Sequence, residues 1–461
     1  MRTSSGSMGR GMQSGQVFLR DFHQFTPPGT DLFYLTIFRY FDAGIMSTSW
    51  AVLSLGLALT LVCFLASRQV MSSKMAMVSA LACLVLLYGD SFDATHHWFS
   101  LLLAMLAILL LSPARSLLRL VTAATAIALA AFCTQTTDAM TLLACCTVMI
   151  WEQRSGKVSW DAVFARIAFL IISSGLVWLI LSWRFIADAG LSHYWFAQVI
   201  YPQKYLHAPH EFLNPQLGHP GGVRSAIAYA KRGIVYIVLI VVSPCAVYYC
   251  TRRRQVLSHK DMPLVLLAFF GTCEMLEVIT RLTWNRMEAA AMPGVILGVW
   301  MVSRKGSIGR WGRPLCWWIM CGLILEHSMS TQLHAYKRLA LPGGNALLRA
   351  DDAEEARWLV EHTHPGDRFF EVALMRFYIP LKLRHPVSID TLLPLEATRP
   401  EWVKEAVGDL VQKNVKFLFW SPRMTLRHVQ DSRISTSDHL EPLRIYMREN
   451  YCLVRLFKIW R

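Results

Sequence analysis

Apolar runs of roughly 15–22 residues recur along most of this 461-residue chain, the longer ones enough to cross a ~30 Å hydrocarbon core as a helix. They cover 47–67, 74–90, 97–112, 117–133, 138–152, 162–183, 233–250, 263–281, 287–303 and 315–331. With 54% hydrophobic and only 17% charged residues, the composition is too apolar for an ordinary soluble protein of this length. The class that follows is a polytopic α-helical membrane protein with about ten transmembrane helices.

The basic residues fix the orientation. Arg68 and Lys74, Arg115 and Arg119, Arg154 and Lys157, Arg252 to Arg254 with Lys260, and Arg304, Lys305, Arg310 and Arg313 fall in every second loop. Cytoplasmic loops collect Lys and Arg, so these five loops belong inside. Lys231 and Arg232 are exceptions, but they follow a long loop, where the rule is weak. The net charge of +15 therefore reports membrane orientation, and no nucleic-acid partner is expected. Residues 1–46, the loop 184–232 and everything after 331 then lie outside the cytoplasm. Residues 1–46 read as an outer loop segment with an interfacial helix, 47–331 as the bundle, and 332–461 as an extracytoplasmic α/β domain. No apolar helix precedes residues 1–46 to carry them across, so a further N-terminal helix is expected in the native protein or its relatives.

Ten of the eleven cysteines lie in or at the ends of apolar runs, and no CxxC spacing occurs, which points to buried thiols. After 331 the pattern changes. Asp351–His362, Arg399–Gln412 and Leu440–Asn450 have helical spacing. Phe369–Leu374, Pro386–Ile389, Val415–Trp420 and Tyr451–Phe457 read as strands, with a turn at Pro365-Gly366-Asp367. Alternating helix and strand predicts a mostly parallel sheet. There is no Gly-rich phosphate loop.

The candidate chemistry collects on the outer face. Arg20, Asp21 and His23 stand beside the Pro27-Pro28-Gly29 turn, where Asp21 suits a general base or a ligand for a phosphate-bound metal. Asp90, Asp93, His96 and His97 share one short loop and suit general acid–base work or a divalent cation. The bland alternatives are a surface ion pair and a solvated polar loop. Tyr201 belongs to an aromatic, His-rich loop with His193, Tyr194, Trp195, Tyr205, His207, His210 and His219, either a membrane-interface anchor or a sugar platform. Glu274 and Glu277 are carboxylates within a span, functional candidates by default. Glu277 also has helical spacing to pair with Arg281. Arg286 offers a guanidinium for a lipid-linked phosphate. Asp138 and Glu326-His327 reach the same boundary.

The stretch Gly15-Gln-Val-Phe-Leu-Arg-Asp-Phe-His-Gln-Phe-Thr-Pro-Pro-Gly29 resembles the latter half of the first outer loop of bacterial GT-C glycosyltransferases, in the branch related to protein mannosyltransferases and to aminoarabinose or lipopolysaccharide-core transferases. The pattern there is G-x-x-x-Y-R-D-F-F-x-x-x-P-P-G. His96-His-Trp-Phe-Ser100 resembles the second outer loop, and Trp284-Asn-Arg286 with Met292-Pro-Gly294 a late segment of the same bundle. The resemblance implies a multi-pass protein of the bacterial inner membrane that takes sugar from a polyprenyl-phosphate donor. The acceptor is a glycan, a lipid or a protein, and a carboxylate deprotonates it. An Arg or a divalent cation steadies the phosphate. Asp21 carries over by motif, and Asp90 and Asp93 by location. Arg20, His23, His96, His97, Arg286, Tyr201 and Glu274 are the expected substrate contacts. The family's leading acidic motif falls at Met1-Arg2-Thr3, which holds no acid. A carrier for lipid-linked saccharides and a non-catalytic envelope scaffold are the competing readings.

Overall fold

The computed structural model describes residues 11–457 except 14, 90–91, 113–115, 155–158, 206–222, 254–260, 280–282, 305–306, 334–335, 373–374, 390–391, 393–397 and 421–438. In chain order the longer helices are α1 (Gly29–Phe41), α2 (Ile45–Arg68), α3 (Ser73–Tyr88), α4 (His96–Leu111), α5 (Leu117–Ala131), α6 (Gln135–Arg154), α7 (Trp160–Ala189), α8 (Ala230–Arg252), α9 (Met262–Ile279), α10 (Trp284–Ala290), α11 (Met292–Ser303) and α12 (Ser307–Leu333). There follow strands β1 (Tyr336–Leu341) and β2 (Gly344–Arg349), helix α13 (Ala350–His362), strand β3 (Phe369–Glu371), helix α14 (Pro400–Lys413), strand β4 (Phe417–Phe419) and helix α15 (Glu441–Asn450).

Over their described residues the apolar runs are helical apart from a residue or two at their ends, and all but one fall on a single helix. The run 287–303 is broken at Ala291, where α10 ends and the next helix opens on Met292-Pro293, because proline tolerates a first helical turn but not an interior. Among the described residues four helices are long and apolar enough to cross a membrane: α2, α7, α8 and α9. Helices α3, α4, α5 and α11 are apolar but shorter. Helix α6 carries Asp138, Glu152 and Arg154, and α12 carries Arg310, Arg313 and Glu326, which dilutes their hydropathy.

The described chain forms two compact units. One unit takes residues 52–183 and 210–332, an all-helical bundle in which α4 packs on α5, α9 on α6 and α8 on α9. Its core is built from small and medium apolar side chains such as Ala104, Ala123, Ala144, Leu267 and Ile296. The other unit unites residues 1–51, 184–209 and 333–461. They overlap the stretches 1–46, 184–232 and 332–461 of the sequence reading, but residues 223–232 fall in the bundle unit.

In that second unit β3 and β4 pair in parallel, joined by a connection that includes α14. Phe370, Val372, Val403, Leu410, Val415 and Leu443 form the core between the strands and helices α14 and α15. The expected strands at Pro386–Ile389 and Tyr451–Phe457 do not join this ladder. Pro386 has no N–H to give, and Ile389 makes a single bridge to His23. Residues 451–457 form no regular element and are tied by the Tyr451 hydroxyl to the Val415 carbonyl at 2.7 Å and by Phe457 against Trp358 and Phe419. The antiparallel hairpin β1–β2, absent from the sequence reading, packs one face on α13.

Arg376 holds this part of the chain together. Its guanidinium meets Glu371 at 2.7 Å, Asp352 at 2.8 Å and Glu355 at 2.8 Å, joining the end of β3 to α13. Burial pushes the Glu371 carboxyl up, and the Arg376 charge pulls it back down. Removing the arginine leaves buried carboxylates uncompensated. Arg376→Ala is expected to destabilise by about 3–5 kcal/mol, and Glu371→Gln added to it to recover part of the loss. Thermal unfolding of the purified protein measures both; an unchanged midpoint for Arg376→Ala would contradict the network.

Candidate functional site

The Arg20-Asp21 motif is built by a tight turn. Phe18 and Phe22 are buried, with their rings edge to face at 5.8 Å, and Phe185 closes on Phe18 at 5.5 Å. Between them Leu19 adopts φ +63, a strained position for a bulky residue. The reversal brings the Asp21 carboxylate back to the Val17 N–H at 2.7 Å, while Arg20 grips both carboxylate oxygens at 3.0 Å. The Arg20 hydrogen bond, then the Val17 N–H, hold the Asp21 carboxyl below the usual carboxylate range. Asp21 is therefore ionised and partly open to solvent.

His23 is drawn to the C-terminal stretch. Its N–H donates to the Ser388 carbonyl at 2.8 Å, its ring stacks on Trp402 at 5.5 Å, and its Nε2 lies 3.2 Å from Glu405. Tyr201 packs against Trp402, Phe25 and Phe196 and is only 3% exposed. Its ring thus braces an aromatic cluster instead of presenting a face to solvent. Arg399 lies over Phe196 and Trp402 at 5.1 and 5.7 Å. Sequence reasoning missed Trp402, Glu405 and Arg399, which sit far along the chain and carry no motif.

Asp31, in the first turn of α1, was also missed. It is fully buried; its Oδ2 accepts from Gln24 Nε2 at 2.8 Å, and burial pushes its carboxyl up to about 8. Folded, the group keeps its proton to about pH 8, whereas the unfolded group ionises near 3.8. Stability linked to Asp31 is therefore complete below the unfolded value and falls as pH rises toward 8. Asp31→Asn is expected to unfold at a higher temperature than wild type at pH 8 and at nearly the same temperature at pH 4. Parallel pH profiles for the two proteins would contradict this.

The other candidates lie in the helical bundle, at one end of α4, α6, α9 and α10. Asp93 is buried ahead of α4, with Thr95 Oγ1 at 3.4 Å. His96 and His97 open that helix with ring centroids 4.0 Å apart. The loop is pinned at both ends: Tyr88 donates to the Val52 carbonyl at 2.6 Å and meets the buried Trp98 edge to face at 5.1 Å. At Gly89 a side chain has no room, since a Cβ would sit 2.8 Å from the Leu84 carbonyl and 3.5 Å from His327. Glu326 pairs with Lys231. Asp90 lies outside the described residues, as do Arg281, His207, His210 and His219.

Arg286, on α10, forms an ion pair with Glu277 of α9; the two side chains are 14% and 5% exposed. Thr136, at the start of α6, donates to the same Glu277 oxygen at 2.7 Å and lies 3.5 Å from the Arg286 guanidinium. Three helices thus fix one guanidinium. Glu274, one turn earlier on α9, is buried with its Oε1 outside any hydrogen bond. Glu288, unremarked in the sequence, is wholly buried on α10, although it lies within an apolar run and that alone marks it. Arg232 stacks over Trp284 at 4.9 Å. Among the described residues no three His, Cys, Asp or Glu side chains converge as metal ligands.

No protein-family model matches the chain, and no curated protein matches it in sequence. Solved structures do. ArnT from Cupriavidus metallidurans in the apo state superposes with a TM-score of 0.54 at 11% identity, over 90% of this chain and 84% of that one. The chain has a GT-C glycosyltransferase fold. The same ArnT bound to undecaprenyl phosphate gives 0.52 at 11% identity, over 91% of this chain and 82% of that one. The oligosaccharyltransferase of Archaeoglobus fulgidus tethered with an acceptor peptide is a looser match, with a TM-score of 0.42 over 71% of this chain and 50% of that one.

Proposed function

We propose that the chain is a membrane glycosyltransferase that moves a sugar from a polyprenyl-phosphate-linked donor to an envelope glycan, lipid or protein acceptor on the outer face of the bacterial inner membrane. The observation that carries this reading is the fold shared with ArnT over 90% of the chain, one solved state of which holds undecaprenyl phosphate. About ten of the helices cross the membrane, and residues 332–461 lie outside the cytoplasm. In support, residues 1–46, the first part of the loop 184–232 and residues 333–461, all sent to that side by charge parity, belong to one compact unit.

The acceptor hydroxyl oxygen attacks the anomeric carbon, the bond from that carbon to the phosphate oxygen breaks, and the polyprenyl phosphate leaves with the electron pair. The hydroxyl proton passes to a carboxylate. Asp21 is the proposed base, ionised by its neighbours and reached by a shift of the Arg20 side chain; Asp93 and Asp90 are the further catalytic carboxylates. Arg286, held by Glu277 and Thr136, takes the donor phosphate as charge builds on it. His23, His96 and His97 supply hydrogen bonds to substrate, and Arg20 and Glu274 complete the contacts, while the buried Tyr201 only braces Trp402.

A carrier would use the same cationic and aromatic groups without breaking a bond. Proteoliposomes loaded with a panel of polyprenyl-phosphate sugars separate the two. Release of polyprenyl phosphate is the expected result, and movement of intact donor between leaflets without release would assign a carrier instead.

A further inference from the structure

The hairpin β1–β2 has two unlike faces. Leu341 and Ala346 are buried toward α13, with Leu339 and Leu348 half-buried beside them. The opposite face presents Tyr336 across from Arg349 and Arg338 across from Leu347. All four are exposed, Tyr336 at 40% and Leu347 at 67%. Within 336–349 there are three cations, Lys337, Arg338 and Arg349, and no acidic residue. Cross-strand partners on one pleat face stand side by side, so two guanidinium groups flank a tyrosine and a leucine.

The place of this face along the membrane normal follows from its contacts. The turn between the strands is hydrogen-bonded to the first residue of α2, with the Ile45 N–H donating to the Gly343 carbonyl at 2.9 Å. Gly44 and Gly343 approach so closely that a Cβ on Gly44 would lie 2.8 Å from the Gly343 carbonyl. Helix α2 has 24 residues, ~36 Å at 1.5 Å per residue, so its ends reach the headgroup layers on either side of a ~30 Å core. Arg68 and Lys74 mark its other end as cytoplasmic, which leaves Ile45 and the hairpin turn on the outer side. Exposed Tyr40, Phe41, Met46 and Trp50 lie within five residues of Ile45 along the chain, the composition of an aromatic girdle. Tyr336 itself follows the last residue of α12, Leu333, by three positions.

We infer that the exposed face of the β1–β2 hairpin is a docking surface for anionic phospholipid headgroups, with Arg338 and Arg349 on the phosphates and Tyr336 and Leu347 at the acyl boundary. Guanidinium groups match phosphate oxygens bidentately, and each basic side chain at a charged bilayer surface strengthens binding by about fivefold. The surface holds residues 336–349 against the bilayer whatever reaction the protein performs.

The test uses the full-length protein in nanodiscs of phosphatidylcholine, with phosphatidylglycerol titrated in, and follows amide exchange of residues 336–349. Phosphatidylglycerol is expected to protect these amides in the wild type, and 0.5 M salt, whose Debye length is only a few ångströms, to weaken that effect. Arg338→Glu with Arg349→Glu should need at least ~25-fold more anionic lipid for the same protection, about fivefold for the loss of each arginine's charge and more for the repulsion of each added carboxylate. Arg338→Lys with Arg349→Lys should respond nearly as the wild type does, which separates a charge effect from misfolding. Wild-type exchange that ignores phosphatidylglycerol, a Glu/Glu variant as responsive as wild type, or protection traced to a co-purified polypeptide would each overturn the inference.

Discussion

Arg286→Gln is expected to lower turnover with a polyprenyl-phosphate donor by about 10²–10³-fold, the loss seen when a donor to developing charge is removed. The leaving phosphate gains charge as the glycosidic bond breaks, so the loss should fall mainly on kcat. Arg286 is fixed by Glu277 and, through it, by Thr136, so its guanidinium is positioned before substrate arrives. Arg286→Lys keeps a charge but loses the planar fork, and an intermediate loss is expected. Glu277→Gln frees the guanidinium while leaving it present. It should cost less than Arg286→Gln and should raise KM for the donor by changing the arginine's pose. Steady-state kinetics in proteoliposomes measure all three. Near wild-type turnover by Arg286→Gln would remove Arg286 from the mechanism.

Asp21→Asn should be as damaging, about 10²–10⁴-fold in kcat, because the amide cannot accept the acceptor's proton. The pH dependence carries a second signature. Arg20 and the Val17 N–H keep the Asp21 carboxyl below its usual range, so the base form survives into mildly acidic solution. Arg20→Ala removes the first of these influences and allows the Asp21 carboxyl to rise. The acidic limb of the pH–rate profile should then move to higher pH. A limb that stays in place would show that Asp21 is not the titrating base.

The bundle was readable because membrane helices advertise themselves: apolar runs such as 47–67 and 162–183 and the basic loops between them are local signals. The Arg20-Asp21 pair was readable from the motif around it. Its partners were not, since the Ser388 carbonyl, Trp402 and Glu405 reach His23 only through tertiary packing. The same limit explains Glu277. The guanidinium of Arg286 that meets it comes from the next helix, beyond the reach of helical spacing. The β1–β2 hairpin escaped notice because its Leu-Ala-Leu and Ala-Leu-Leu segments follow a long apolar helix and look like its continuation until Pro342-Gly343-Gly344 turns the chain. Tyr201 was visible as an aromatic, but whether it faces solvent or Trp402 depends on residues 200 positions away.

The account rests on glycosyl transfer, and one measurement addresses it directly. Purified protein in proteoliposomes, given a labelled polyprenyl-phosphate sugar and an envelope acceptor, should form polyprenyl phosphate and glycosylated acceptor in equal amounts. Asp21→Asn should form neither at a comparable rate. Donor that stays intact with every sugar and acceptor tried, or turnover that Asp21→Asn and Arg286→Gln leave unchanged, would contradict it.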